Sequence, residues 1–255
     1  MPQLHPLAEA LVAAHRHHAL LSPAEWTGQP ADAEAAYGLQ QQVGGTLGWW
    51  PAGGLPRCWK SGGPGPDALR HAPLGESGVL QADGETLDWR ARPWPGAALE
   101  AEIALRLGQP VTPAMAAELD EASAWALLDG LAVAVEFAAS RWAGAASADQ
   151  QLADGLSHGG LGLGPWQAPA PRNWAAQALA LTRSGEPAQQ FTGTHPLGHP
   201  GAVLPGLLRH LTRHGASAPA GTLVTTGSWN GALQVARGQQ VTIAFAGLPP
   251  LTVLL

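Results

Sequence analysis

The chain predicts an α+β fold, on three observations. Helical periodicity is concentrated near the N-terminus, where Leu4, Leu7, Leu11 and Ala14 recur at helix spacing. Strand alternation dominates the middle and the end, in Leu99–Leu105, residues 131–138 and the late runs Gln240–Phe245 and Leu251–Leu254. The helical and strand stretches are unevenly mixed, with no regular βαβ series.

In chain order, residues 4–20 form a helix that ends in His15-Arg-His-His18. That cluster reads as a solvated helix face, because no carboxylate or cysteine stands near it to complete a metal site. Ser22-Pro-Ala-Glu25 reads as a capping box with proline at the first helical position. Asp32 caps a second helix running to about Leu47, with Ala36, Leu39, Gln40 and Val43 on its inner stripe. Gly44 to Gly54 is a turn-rich connection. Arg57-Cys-Trp-Lys60 is a short strand that stops at Ser61-Gly62-Gly63, and the Gly- and Pro-rich stretch to Asp83 is loop apart from the strand Gly78-Val-Leu80.

Pro93-Trp-Pro95 breaks the chain before the Glu100 strand, and Gly108-Gln-Pro110 ends that strand. Thr112 caps a helix with Pro113 at its first position and Met115, Leu119 and Ala122 along it. Residues 131–138 are the next strand, and Asp149 to Asp154 is polar loop or short helix. Gly159-Gly-Leu-Gly-Leu-Gly164 reads as a tightly packed strand. A phosphate-binding loop would need a helix at once, which Pro165 and Pro169 forbid. Ala178–Arg183 and Glu186–Phe191 form a hairpin about Ser184-Gly185. Val203–Leu211 is an amphipathic helix entered through Gly198-His-Pro200, and Thr222–Thr226 begins the late strands.

With 255 residues and 45% hydrophobic content the chain can bury one good core. The expected division is an N-terminal helical segment, 1–56, and a single compact catalytic unit, 57–255. The net charge of −6, with no basic tract, argues against nucleic acid. The single cysteine, Cys58, allows no internal disulfide and fits a reducing compartment. No signal-like N-terminus and no bilayer-length apolar run are present, so a cytoplasmic protein without a membrane partner is expected.

In Leu99–Leu105, Ala101, Ile103 and Leu105 fall on one face and Glu100 and Glu102 on the other, about 6–7 Å apart at Cβ. Such a pair either faces water or shares a cation, because two desolvated carboxylates repel. Glu136 interrupts the apolar run Leu131-Ala-Val-Ala-Val-Glu-Phe137 in a similar way. We expect Glu100, Glu102 and Glu136 to hold one hard cation, Mg²⁺ or Mn²⁺ rather than zinc. Lys60 is the sole lysine in a chain that otherwise uses arginine, which marks a place where a compact ammonium is needed.

Eight fragments in order resemble the fumarylacetoacetate hydrolase superfamily, in its 2-keto-4-pentenoate hydratase and 4-oxalocrotonate decarboxylase branch. They are Ala36-Tyr37-Gly-Leu-Gln40, Trp59-Lys60-Ser-Gly62, Pro73-Leu-Gly-Glu-Ser-Gly78, Glu100-Ala-Glu102-Ile, Val135-Glu136 with Ser140-Arg141, Asp149 with Ala153-Asp154, Gly198-His-Pro200, and Thr226-Gly227-Ser228. The resemblance implies a mixed β-roll or sandwich packed with helices, a homo-oligomer, and a bound Mg²⁺ or Mn²⁺ on Glu100, Glu102 and Glu136, with Lys60 as the active-site lysine. It implies a hydratase that adds water to a 2-hydroxy-2,4-dienoate in aromatic catabolism. The alternatives are the related 4-oxalocrotonate-type decarboxylase and a non-catalytic metal-binding or scaffold relative. Lys60 is then the proton donor or oxyanion partner and Glu76 an acid–base group. Asp154, Ser157, His199 and Ser228 would be polar groups of the substrate pocket. The sequence departs from the family pattern at Ser61, Ser77 and Gly155, and these departures bear on substrate choice. Ala98 stands where the C–C hydrolase branch commonly has histidine, two positions before the first metal glutamate, which sets that branch aside.

Overall fold

The computed structural model describes residues 3–94 and 98–255, so Pro95, expected to help break the chain before the Glu100 strand, lies outside the described residues. The chain opens with α1 (Pro6–His17) and α2 (Ala33–Leu47). The His5 ring accepts from the Leu7 N–H at the start of α1, and the Asp32 carboxylate accepts from the Ala35 N–H at the start of α2. Each cap satisfies a donor that the first helical turn leaves unpaired. The Ser22 capping box does not form. Pro23–Trp26 is a single 3-10 turn in which the Glu25 N–H binds the Ser22 carbonyl (3.2 Å), and the Ser22 side chain makes no capping bond.

The strands are β1 (Cys58–Gly62), β2 (Arg70–Pro73), β3 (Val79–Gln81), β4 (Thr86–Asp88), β5 (Ala98–Leu107), β6 (Leu128–Ala138), β7 (His158–Leu163), β8 (Ala178–Arg183), β9 (Gln189–Thr192), β10 (Leu223–Thr225), β11 (Leu233–Gln234), β12 (Gln240–Phe245) and β13 (Leu251–Leu254). The remaining helices are α3 (Pro113–Glu118), α4 (Glu121–Trp125), α5 (Ala148–Ala153) and α6 (Leu204–Thr212). The single helix expected after Thr112 is two short ones. Asp120 interrupts it by capping α4, accepting from the Ser123 N–H while the Ser123 hydroxyl oxygen accepts from the Asp120 N–H. Arg70–Pro73, expected to be loop, is an edge strand on β1; its proline stands at the strand end, where edge strands tolerate it.

Eight strands make one mixed sheet in the order β2-β1-β10-β5-β6-β7-β3, with β11 also on β5; the other five run β4-β13-β12-β8-β9. Alternation assigns the faces. Trp59, Ala101, Ile103, Val133, Val135 and Phe137 of the larger sheet share one core with Leu179, Leu181, Val241, Ile243, Phe245 and Val253 of the smaller. The opposite face carries Cys58, Leu74, Ala104, Ala134, Leu161 and Leu163 as a second cluster. The Gly–Leu alternation of β7 serves both faces: its leucines join this second cluster, while a Cβ on Gly162 would come within 2.1 Å of Leu87 Cδ2 in the smaller sheet. A third cluster joins α1 and α2 to Trp142, Leu152 and Ala153. Among the described residues no helix is long and apolar enough to cross a membrane.

Candidate active site

The site lies on the face of the larger sheet turned away from the smaller one. Glu100 and Glu136 are register partners across β5 and β6, and Glu102 is two residues along β5 on the same face. Lys60, Thr225 and Ala104 form a cross-strand row through β1, β10 and β5, so the lysine shares that face. One oxygen from each of Glu100, Glu102 and Glu136 lies within 4.8 Å of the other two. Lys60 Nζ donates to Glu136 Oε1 at 2.5 Å and to the Leu156 carbonyl at 3.0 Å. His158 Nδ1 is 3.1 Å from the same Glu136 oxygen.

The loop after β10 sets the carboxylates in place. The Gly227 N–H donates to Glu102 Oε2 at 2.9 Å. Gly227 has φ +119°, and a Cβ there would meet Pro196 at 2.8 Å, so glycine is required. Asn230 continues the sheet with its side chain: its Oδ1 accepts from the Ala101 N–H and its Nδ2 donates to the Leu99 carbonyl. The Leu156 carbonyl is aimed at Lys60 by backbone strain. Gly155, Leu156 and Ser157 are consecutive left-handed residues at φ 68°, 56° and 60°, an arrangement that costs about 1–2 kcal/mol for each non-glycine residue.

These residues fit a hard divalent cation. The donor set is all carboxylate oxygen. Glu136 is fully buried, and its Oε2 has no hydrogen-bond partner among the described residues. Among the protein groups alone, burial first and the Glu136 charge second push the Glu102 carboxyl up to about 8, against the pull of Lys60 and the Gly227 N–H. Burial and the Glu136 charge also raise Glu100. Burial acts on Glu136 in the same sense, but Lys60 and His158 outweigh it and hold that carboxyl at about 2. Burial works to neutralise Lys60, and the carboxylates overcome it and raise the ammonium above its ordinary value.

A pH-dependent response to metal follows. Glu102 titrates near 4.5 when unperturbed and near 8 in the fold, so it favours the protein alone below 4.5, and that contribution is lost as pH rises through 8. A bound cation requires the ionised form, so the rise in melting temperature on adding Mg²⁺ is expected to grow between about pH 6 and pH 9. Scanning fluorimetry with and without Mg²⁺ checks this, and a shift that stays flat across that window contradicts it.

A cavity of about 390 Å³ opens over the cluster, lined by Lys60, Gly62, Arg70, Glu100, Glu102, Pro196, Thr225, Gly227 and Ser228 among others. A larger one, about 550 Å³, lies beyond His158 and is walled by Trp49, Trp89, Trp94, Arg92 and Arg141. Glu100 and Glu102 line the smaller one, together with Lys60.

The other expected site residues fall in different places. Ser228 lines the carboxylate cavity, with its hydroxyl donating to the Gly231 carbonyl. Ser157 contributes its left-handed backbone, and its carbonyl accepts from the Ala139 N–H. Asp154 is 1% exposed and fully engaged by Arg141, which donates to it from Nε and from its backbone N–H. It lines neither cavity. Asp154→Asn is therefore expected to cost about 3–5 kcal/mol of stability in urea unfolding, because a buried guanidinium loses its counter-charge. His199 caps the turn before α6, its Nδ1 accepting from the Gly201 N–H, and packs on Trp125 beside Glu121, away from the carboxylates. Glu76 is exposed in a 3-10 turn and lines neither cavity. The structure brings together three groups that the sequence did not single out: His158, the Leu156 carbonyl and Arg70.

An α+β sheet face on which three carboxylates converge beside a half-buried ammonium, next to one cavity, is an arrangement suited to a hard divalent cation. The chain belongs to the fumarylacetoacetate hydrolase family: residues 74–254 match the sequence model of the fumarylacetoacetate (FAA) hydrolase C-terminal family. No curated protein matches the chain in sequence. Its fold is similar to that of 4-oxalocrotonate decarboxylase from Pseudomonas putida G7, complexed with magnesium and adipate, at 20% identity, TM-score 0.80, and coverage of 97% of this chain and 95% of that one. It is also similar to 5-carboxymethyl-2-hydroxymuconate delta-isomerase from Mycobacterium smegmatis, at 18% identity, TM-score 0.52 and 78% of each chain. A third relative in fold is 2-hydroxyhepta-2,4-diene-1,7-dioate isomerase from Mycobacterium marinum, at 19% identity, TM-score 0.52, and 78% of this chain and 74% of that one. The expected α+β fold of this family is thus observed.

Proposed function

We propose that the chain is a metal-dependent lyase that adds water to a 2-hydroxy-2,4-dienoate of the 2-keto-4-pentenoate type, giving a 4-hydroxy-2-oxo acid. The observation that carries this is the convergence of Glu100, Glu102 and Glu136 within 4.8 Å, beside Lys60, with Glu100, Glu102 and Lys60 lining one cavity. These three carboxylates would hold Mg²⁺ or Mn²⁺, which supplies Lewis acidity at a 2-oxo or enol oxygen. In the protein without metal the surrounding carboxylates hold Lys60 protonated, and its Nζ is ion-paired with Glu136. It therefore donates from Nζ to oxygen charge that develops during enolisation, and is not a Schiff-base nucleophile, which needs the neutral amine. The Leu156 carbonyl and Glu136 fix the direction of that ammonium. Ser228 supplies a hydroxyl at the cavity wall. Glu76 takes no part in this reading, since its carboxyl is exposed and outside the cavity.

Decarboxylation of a 4-oxalocrotonate-type diacid is the second reading, and it uses the same electron sink. The presence of Arg70 in the same cavity favours it, because a diacid has a second anionic end to place. The test is loss of ultraviolet absorbance from 2-hydroxypenta-2,4-dienoate and from 4-oxalocrotonate with Mg²⁺ or Mn²⁺. Metal-dependent loss that chelator prevents is expected with at least one of them. No loss with either compound under any metal sets the enzyme reading aside in favour of a binding or scaffold relative.

A further inference from the structure

We infer that Arg70 is the specificity-determining residue of this cavity, and that it selects substrates whose tail ends in a carboxylate. The inference rests on the anchoring of a 2-oxo acid end at the carboxylate cluster, which both readings above share, and between them it sides with a substrate that carries a second carboxylate.

The strand register supplies the argument. Gly62 on β1 is paired with Arg70 on β2, two residues along from the Lys60–Ala72 pair. Opposite residues in a sheet project from the same face, so Arg70 shares the face of Lys60. Two residues beyond the row that joins Lys60, Thr225 and Ala104 stand Gly62 on β1, Gly227 just past β10, and Glu102 on β5. The Gly227 N–H bond to Glu102 confirms that these two are adjacent. The row therefore reads Glu102, Gly227, Gly62, Arg70. A long acidic side chain stands at one end, a long basic one at the other, and between them are two positions with no side chain at all. Three strand spacings separate the ends, about 14 Å at the backbone. The two glycines leave a trough between the ends of this row, and all four residues line the one cavity.

Arg70 is held ready for a ligand. Its Nη1 donates to Asp149 Oδ1 at 2.7 Å and to the Ala148 carbonyl at 3.1 Å. Both bonds use that one nitrogen; Nε and Nη2 donate to nothing among the described residues, leaving one edge of the guanidinium free. That edge matches a carboxylate in the forked, two-bond geometry that arginine favours. Asp149 thus orients the group without using it up. A tail that is apolar, or that carries a hydroxyl alone, leaves this charged edge unsatisfied and is selected against.

Titration calorimetry in the presence of Mg²⁺ tests the inference without turnover, with adipate as the diacid probe and hexanoate as the monoacid. The wild-type protein is expected to bind adipate more tightly. Arg70→Met should narrow the adipate-to-hexanoate affinity ratio by about 10- to 100-fold, the range of one charge-assisted pair. Arg70→Lys, which keeps the charge and loses the fork, should recover part of it. Melting temperatures of both variants confirm that they fold. Equal affinity for the two acids in the wild type, no binding of either, or a ratio unchanged in Arg70→Met overturns the inference. Selective adipate binding with no turnover of any dienoate supports the tail assignment and counts only against the lyase reading.

Discussion

Glu102→Ala is expected to lose metal-dependent turnover by about a thousandfold or more while the protein stays folded. Removing one of three carboxylate ligands withdraws several kcal/mol of charge stabilisation at the reacting oxygen, and each 1.4 kcal/mol is tenfold in rate. The fold should survive because Glu102 costs energy where it stands: burial and Glu136 push its carboxyl up to about 8, and its one hydrogen-bond partner among the described residues is the Gly227 N–H. Losing that acceptor costs about 1–3 kcal/mol, partly offset by removing a carboxyl that is poorly solvated. Glu102→Gln keeps the volume and an acceptor for Gly227, so it separates ligand loss from packing loss. Initial rates read alongside melting temperatures decide the matter, and full activity of Glu102→Ala in chelator-treated buffer would end the metal assignment.

Lys60→Met is expected to act on both rate and stability. Without its ammonium the site loses a proton or hydrogen-bond donor, an effect of about 10²- to 10⁴-fold in turnover. Glu136 is fully buried and keeps its charge through Lys60 and His158, so the variant also leaves a charge without its main partner. That costs about 3–5 kcal/mol in the protein without metal. Mg²⁺ should return part of the lost stability, because the cation neutralises the same carboxylate. The comparison of urea unfolding with and without Mg²⁺ is therefore the informative measurement. An unfolding free energy that Mg²⁺ raises no more in the variant than in the wild type would show that Glu136 does not contact the cation.

Much of this architecture was legible from local pattern. The helix caps at Asp32 and Thr112, the alternation in Leu99–Leu105 and the Gly–Leu strand at 159–164 each follow from side-chain chemistry within a few residues. Glu136 stood out for the same reason, since a glutamate inside an apolar run is costly unless something compensates it, whereas Glu100 and Glu102 read locally as a solvated face as readily as a cation site and were joined to it by the family resemblance. What was not legible depends on register. Arg70 falls in a Gly- and Pro-rich stretch with no strand signature, and only its pairing with Gly62 places it on the functional face. His158 reaches Glu136 because β7 lies beside β6, a neighbour relation that no local spacing encodes. The left-handed turn at Leu156 is a conformation that leucine alone would not suggest. Asp154 and His199 have the residue types of a polar pocket, but one is taken by Arg141 and the other by a helix-entry turn.

The N-terminal helices are tied to the chemistry at one remove. Gln40 Nε2 of α2 donates to the Leu152 carbonyl at 2.5 Å, near the end of α5, from which the chain turns left-handed to offer Leu156 to the ammonium. Tyr37 of the same helix accepts from the backbone of His71, next to Arg70. The cation cradle itself is built only from β5, β6 and the loop after β10. A change in α1 or α2 would therefore be felt in how the amine is aimed, while Lys60 on β1 and the carboxylates on β5 and β6 keep their own strands. In that sense the leading helices act as an outrigger, steadying the support of the ammonium from outside the sheet.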